Sequence, residues 1–427
     1  MKHLLLACAA LIAAPLSAQT VAITGGKVVI GDGSAPIEKG IVIVTNGRVV
    51  AAGAAIAIPA GAARIDATGK WVTPGIVAGF TRMGLVGVDA VDPSNDTEAR
   101  NSPFNVSLDI APAINPDVSA VAVNRAAGVT RAIVSPDAGN AIFGGQGAVM
   151  DTGADFDPVT KSRAFQFMEF GETGARLAGG SRPALIAAFK TALAEAKDAS
   201  VGVFHEDAML KRPDALALVP ILNGTMKLFV HVESAADILI VLGLKKSYPT
   251  LSLVLVGATE GWRVAPQIAA AKVPVMASAL NDLPDSFEQI AATQSNVGRM
   301  KAAGVEVGIG MINDNEARQA QLSMQYAGNL VALTKVPGAT GLSWGDAFAA
   351  ISSVPASIVG LGGEIGSLKA GRRADIVLWD GDPLEVTSAV VKVWIDGVEQ
   401  PLSTRQTRLR DRYLQPGAGP LPDAYKH

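Results

Sequence analysis

Val72-Thr73-Pro74-Gly75-Ile76-Val77-Ala78-Gly79-Phe80-Thr81-Arg82-Met83-Gly84-Leu85 is the stretch on which the reading of this chain turns. A Pro-Gly pair opens it, as backbone punctuation does. The apolar run that follows reads as a short buried strand. Residues i and i+2 of a strand share a face, so Phe80 and Arg82 are expected side by side at its end.

Around this stretch the composition is that of a folded chain. Of 427 residues, 49% are hydrophobic and 18% charged, enough for one large domain and a smaller one. A net charge of -3 gives no electrostatic reason to expect a nucleic-acid partner. The first residues read as an export signal: Lys2, then the apolar run Leu4 to Ala14, then Leu16-Ser17-Ala18 before Gln19. Residues 1–18 are therefore expected to be removed, with the protein periplasmic or secreted. Cys8, the one cysteine, lies in that segment, which takes disulfides, thiolate metal sites and cysteine nucleophiles out of consideration. No later apolar run has the length of a membrane span.

Outward from Val72, both ends of the chain read as short strands. On the N-terminal side these are Val21-Ala22-Ile23, Lys27 to Ile30, and Gly40 to Val44 facing Arg48 to Ala52 across Asn46-Gly47, the strongest short hairpin signal. Ala374 to Trp379 and Val391 to Ile395, followed by Asp396-Gly397, have the same character. Residues 19–72 and 363–402 are thus expected to close into one composite β-sandwich domain, with 73–362 inserted and 403–427 as a loosely held tail. In the insert, strands at Gly128–Ser135, Lys227–His231, Ser252–Val256, Val273–Met276 and Val305–Ile309 alternate with helices at Ala184–Lys197, Ala235–Leu244, Ala265–Ala271 and Asn296–Ala303. Ser181 is the expected N-cap of the first of these helices. Repeated β-then-α units predict an α/β protein with a (β/α)8 TIM-like barrel, and no G-x-G-x-x-G supports an open doubly wound sheet. Residues 86–127 and 136–180 are expected to be loops, with Phe143-Gly144-Gly145-Gln146-Gly147 a tight turn lacking the Lys-Ser/Thr of a phosphate loop. Lys211-Arg212-Pro213-Asp214 reads as a solvated helix start. Ser135 and Ser278 have no His–carboxylate pair implied beside them.

The frame Val72 to Leu85, the Gly128-Val129-Thr130 triplet, and Gly366-Ser367-Leu368-Lys369-Ala370-Gly371-Arg372-Arg373-Ala374-Asp375-Ile376-Val377 with Asp396-Gly397 after it resemble the amidohydrolase superfamily, in particular its secreted imidazolonepropionase-like members. The resemblance implies hydrolysis of non-peptide or dipeptide C–N bonds by one or two divalent metals at the barrel mouth. It also implies the ligands: a His-x-His pair on strand one, a bridging Lys or Glu, a His on each of strands five and six, and an Asp on strand eight.

Carried over one position at a time, most of those ligands are missing. Phe80 and Arg82 stand where the His pair would be, and neither side chain can donate a lone pair to a metal. His231 fits the strand-five position, with a neutral, hydrogen-bonded strand-end histidine as its bland alternative. The run ending Gly257-Ala258-Thr259-Glu260 has no histidine, and Ile312 stands where the Asp is expected, with Asp314 two positions on. Glu169 and His205 both remain open as the bridging residue. With His231 the one matching ligand, the expected cofactor is none or a single zinc. Arg82 is expected to replace the lost metal charge by pairing with Glu233, Glu260 or Asp314, or else to face solvent. Two functions stay in view: a C–N hydrolase with a reduced metal site, and a catalytically inactive binding or partner subunit, which the residue chemistry favours. A small-molecule ligand, self-association or pairing with an active relative would serve the latter.

Overall fold

The computed structural model describes residues 20–88, 90–312 and 319–414. Strands β1 (Thr20–Val28), β2 (Ile37–Thr45), β3 (Arg48–Gly53), β4 (Ala63–Asp66) and β5 (Trp71–Pro74) come first. β1 is continuous through Gly25-Gly26, which forms an irregularity in its pairing with β2 rather than a break between two strands. Asn46 and Gly47 have φ of 51° and 71°, the double positive value that a two-residue hairpin turn requires.

The chain then enters a closed barrel of eight strands: β6 (Ile76–Thr81), β7 (Val129–Val134), β8 (Phe143–Asp151), β9 (Val159–Glu169), β10 (Lys227–Val232), β11 (Ser252–Gly257), β12 (Val275–Ser278) and β13 (Val307–Gly310). Helices alternate with most of these strands, and the four expected ones are all present, with observed bounds Arg182–Ser200, Ala235–Ser247, Ala265–Ala271 and Asn296–Ala302. Ser181 caps the first, accepting from Ala184 N at 3.3 Å. Finally β14 (Ile376–Trp379), β15 (Val390–Ile395) and β16 (Val398–Glu399) return to the first sheet, whose order is β16-β15-β14-β5-β1-β2-β3, with β4 also on β1. The two ends of the chain thus share one sheet.

The barrel has one reversed strand. β8 runs antiparallel to both β7 and β9, while the other barrel neighbours are parallel. This corrects the reading of 136–180 as loop, since β8, β9 and the helix Gly171–Leu177 fill most of it. Glycine hid the strand. A Cβ at Gly147 would collide with the Phe165 ring, and one at Gly144 would lie 2.8 Å from Phe167. The glycines make room for aromatic rings, so β8 shows no apolar alternation to read.

Those rings fill the barrel. Val77, Phe80, Ile133, Val149, Phe165, Phe167, Phe229, Val254, Val256 and Met276 form one buried cluster. Phe165 stacks on Phe229 with centroids 4.0 Å apart. This packed interior is typical of such barrels, whose functional surface lies at the C-terminal ends of the parallel strands.

The base of the barrel is tied to the composite sheet by Arg131 of β7, which is fully buried. Its Nε and Nη2 donate to the two oxygens of Asp375 at 2.8 and 3.0 Å, and Nη2 also to Asp396 at 2.9 Å. Nη1 reaches Thr160 Oγ1 at 2.8 Å and Asp151 at 3.4 Å. Burial works against the guanidinium's charge, but Asp375, and then Asp396 and Asp151, hold it even more firmly protonated than usual. Burial also pushes the Asp151 carboxyl up to about 6, against the pull of Arg131. Beside this network, a Cβ on Gly128 would lie 2.6 Å from the Trp379 ring. Trp379 Nε1 donates to Thr73 Oγ1 at 2.9 Å.

Asp214 is not a solvated helix start. It is buried and accepts from Ser107 N at 2.8 Å and Ser107 Oγ at 2.6 Å, pinning the long loop after β6. After β16, Thr404 Oγ1 accepts from Thr407 N at 3.1 Å and caps the helix Arg405–Leu414. The expected export segment, 1–18, and residues 415–427 lie outside the described residues. Among the described residues no helix is long and apolar enough to cross a membrane.

Arg131→Met leaves three carboxylates around a buried space with no cation. The expected cost is about 3–5 kcal/mol, read as a lowered urea midpoint. A midpoint within error of the parent would show that the junction does not depend on this residue.

Candidate functional site at the barrel mouth

Phe80 and Arg82 meet as the strand alternation requires, although the backbone reaches that arrangement by a distortion. β6 is irregular between Ala78 and Thr81, and Phe80 has φ 47°, a costly value for a bulky residue. Gly79 permits it: a Cβ there would lie 2.5 Å from both Ile309 O and Met276 Sδ. The turned backbone sends the Phe80 ring into the barrel, 5.3 Å from Phe167, and the Arg82 guanidinium lies 5.4 Å from the Phe80 ring.

Arg82 does find a carboxylate, but among the described residues it is neither Glu233 nor Glu260. Its partner is Asp137, on the loop after β7, which accepts from Nε at 3.0 Å and from Nη2. The side chain of Arg82 is 13% exposed, so it does not simply face solvent. The two-point contact is the geometry in which Arg–carboxylate pairs are strongest. Asp137 was missed because only its position just past a barrel strand marks it as a mouth residue.

On the other side, β9 and β10 bring Glu169 and His231 together. His231 Nδ1 lies 2.8 Å from Glu169 Oε2, and Nε2 lies 3.0 Å from Glu233 Oε1. Both ring nitrogens are therefore donors, and the ring is an imidazolium. Burial opposes that charge, but Glu169 first and Glu233 second raise its pKa well above the ordinary value. The reading of His231 as a neutral strand-end residue is thereby corrected. Glu233 is itself buried and fixed, accepting from Thr259 N at 2.8 Å.

The other expected residues separate into those at the mouth and those elsewhere. Glu169 ends β9, the fourth barrel strand. His205 lies 3.3 Å from Asp198, exposed on the segment between the helices Arg182–Ser200 and Arg212–Leu222. Glu260 is structural, accepting from Arg263 at 3.1 Å and from Ala235 N and Ala291 N. Ile312 packs against the apolar plug headed by Phe80. Asp314 lies outside the described residues.

A further residue comes from the loop after β12. Glu288 Oε2 accepts from Glu172 N at 2.8 Å, and a Cβ at Gly171, where φ is 64°, would collide with it. Burial pushes the Glu288 carboxyl up, and Glu172 and Glu233 add to that against the Glu172 N–H and His231. Ser278, at the end of β12 on the same face as the interior Met276, has a buried Oγ without a hydrogen-bond partner among the described residues.

The divalent metal that the resemblance implies does not fit these side chains. The strand-one ligands are replaced by a ring inside the plug and by a paired cation. The one retained histidine has a carboxylate on each nitrogen, leaving no lone pair to offer. Among the described residues no group of three His, Cys, Asp or Glu side chains could hold an ion.

With this geometry in view, the likeness to known proteins can be stated. A family model described as the amidohydrolase family matches residues 286–399. The chain is 50% identical over 60 residues, 14% of its length, to the amidohydrolase tasK of Hapsidospora irregularis. It is 32% identical over 106 residues, 24% of its length, to the imidazolonepropionase of Maricaulis maris. These matches liken the chain to the amidohydrolase superfamily, through residues 286–399 for the family model. The matched stretches span 6% and 25% of those two relatives' own lengths. In fold, this chain is similar to an amidohydrolase from Thermotoga maritima, with a TM-score of 0.78, 24% identity, and 89% and 99% of the two chains covered. A molinate hydrolase gives a TM-score of 0.54 at 16% identity over 95% and 98% of the chains.

The His231 pairing has a pH signature. A group whose pKa is raised on folding contributes stability that is fully present below its unfolded value, near 6.5, and lost as pH climbs through the native value. The stability gap between the parent and His231→Gln is expected to be about 3 kcal/mol below pH 6.5, as for a buried pair losing one partner, and to narrow steadily above it. Melting temperatures of both proteins across pH 5 to about 9 measure this. A gap that does not change with pH contradicts the imidazolium assignment.

Proposed function

We propose that this amidohydrolase-superfamily protein is a metal-free member that has given up the family's hydrolytic chemistry and uses its barrel for binding. The observation that carries this reading is His231: the one residue matching a family ligand has both nitrogens committed to Glu169 and Glu233. Phe80, Arg82 and Ile312 support it, since an apolar plug and a neutralised cation stand at three ligand positions.

Metal-dependent hydrolysis needs an ion that acidifies water and polarises a carbonyl. The side chains at this mouth instead pair with each other: Arg82 with Asp137, and His231 with two glutamates. Its free hydrogen-bonding capacity includes the Ser278 hydroxyl, which suits capture of a small polar molecule. We also place the protein outside the cytoplasm, on the reading of residues 1–18 as an export signal, and in company with a partner chain or an active relative.

The test is elemental analysis of protein produced with ample zinc, together with thermal melting with and without added zinc. Metal well below one ion per chain and an unchanged melting temperature are expected, because a ligand with no native-state site cannot stabilise the native state. Stoichiometric zinc lost in His231→Gln would instead establish the hydrolase reading.

A further inference from the structure

Far from the mouth, beneath the barrel, one buried cation has no counter-ion. Arg125 lies on the helix Ser119–Ala126 that leads into β7, and it is 6% exposed. Its Nε donates to Pro401 O at 3.1 Å and its Nη1 to Thr152 O at 2.7 Å. Both acceptors are neutral carbonyls. No carboxylate pairs with Arg125 among the described residues, and burial alone bears on its pKa, lowering it. A buried charge without an opposite charge costs several kcal/mol, so an isolated guanidinium of this kind calls for a partner.

The remaining nitrogen, Nη2, has no bond in the described structure, and Arg125 lines a cavity of about 280 Å³. Arg408 and Ser403 line it too, with Phe156 on the turn between β8 and β9. Ser403 and Arg408 bracket the start of the helix Arg405–Leu414, whose N-terminal dipole also favours negative charge. Asp117 and Asp155 complete the wall. They limit how much negative charge the cavity can take, which selects a single compact anion over a polyanion.

We propose that this cavity is an oxyanion-binding site, taking one carboxylate or phosphate group on Arg125, with Arg408 as the second cation. A bidentate contact to Nη2 and to Arg408 would supply the charge that Arg125 lacks. The site draws on three separate parts of the chain: the helix before β7, the β8–β9 turn and the segment after β16. Its occupant would therefore also tie the C-terminal helix to the barrel. The proposal is independent of whether the mouth binds metal.

Calorimetric titration of the full-length protein with sodium phosphate and, separately, sodium acetate, at ionic strength matched with chloride, tests it. Saturable binding of one of the two is expected, and which one binds identifies the anion class. Arg408→Gln, at an exposed position, is expected to weaken that binding about tenfold, the equivalent of one charge-assisted hydrogen bond. Arg125→Gln is expected to abolish it; should that variant fail to fold, Arg408→Gln carries the decision. No binding of either anion beyond chloride would overturn the proposal. So would binding that Arg408→Gln leaves at full strength.

Discussion

One buried guanidinium organises the lower half of this molecule. Arg131 gathers Asp375 and Asp396 from the C-terminal strands and Asp151 from the reversed barrel strand. Around it, Gly75 and Gly128 allow the backbone to approach Thr130 and Trp379 more closely than any side chain would permit. The motifs that resemble the amidohydrolase superfamily are therefore largely one contact seen in separate pieces of sequence. The Pro-Gly entry, the Gly-Val-Thr triplet, the Ala-Asp-Ile-Val strand and the Asp-Gly turn all converge where the composite sheet meets the barrel. They preserve architecture, and architecture constrains chemistry only loosely.

The chemistry of the family belongs to the other end of the barrel, and there the substitutions form a consistent set. Removing a divalent ion from a closed mouth would leave carboxylates repelling one another. Here the charge is rebalanced locally. An imidazolium stands between Glu169 and Glu233, and Arg82 is matched to Asp137. Phe80 and Ile312 extend the apolar interior upward to the level where ligands would stand. The positive φ of Phe80 is a cost that the packing around Gly79 has to hold in place.

Much of this was legible in the sequence, and the limits have physical causes. The Asn46-Gly47 hairpin, the parallel strands and their helices follow from turn chemistry and periodicity. The pairing of the chain ends follows from strands that lack partners nearby. β8 did not show itself, because its glycines make room for Phe165 and Phe167 instead of supplying a hydrophobic pattern. That Phe80, Arg82 and Ile312 offer no lone pair to a metal could be read directly, because it is a property of the residue. Asp137 and Glu288 could not be assigned as partners, since each is set by where a loop runs. The charge of His231 was misjudged for a similar reason: it depends on Glu169, 62 positions away in sequence.

The central claim is that the residue matching a metal ligand has become a fixed imidazolium. The most direct measurement is a long-range proton–nitrogen NMR correlation of histidine-labelled protein at mildly alkaline pH, with His231→Gln assigning the signal. The account predicts that both ring nitrogens of His231 remain protonated where a free histidine is neutral, and that added zinc leaves the signal unchanged. A neutral ring that titrates near the ordinary histidine value, or one that shifts when zinc is added, would contradict it.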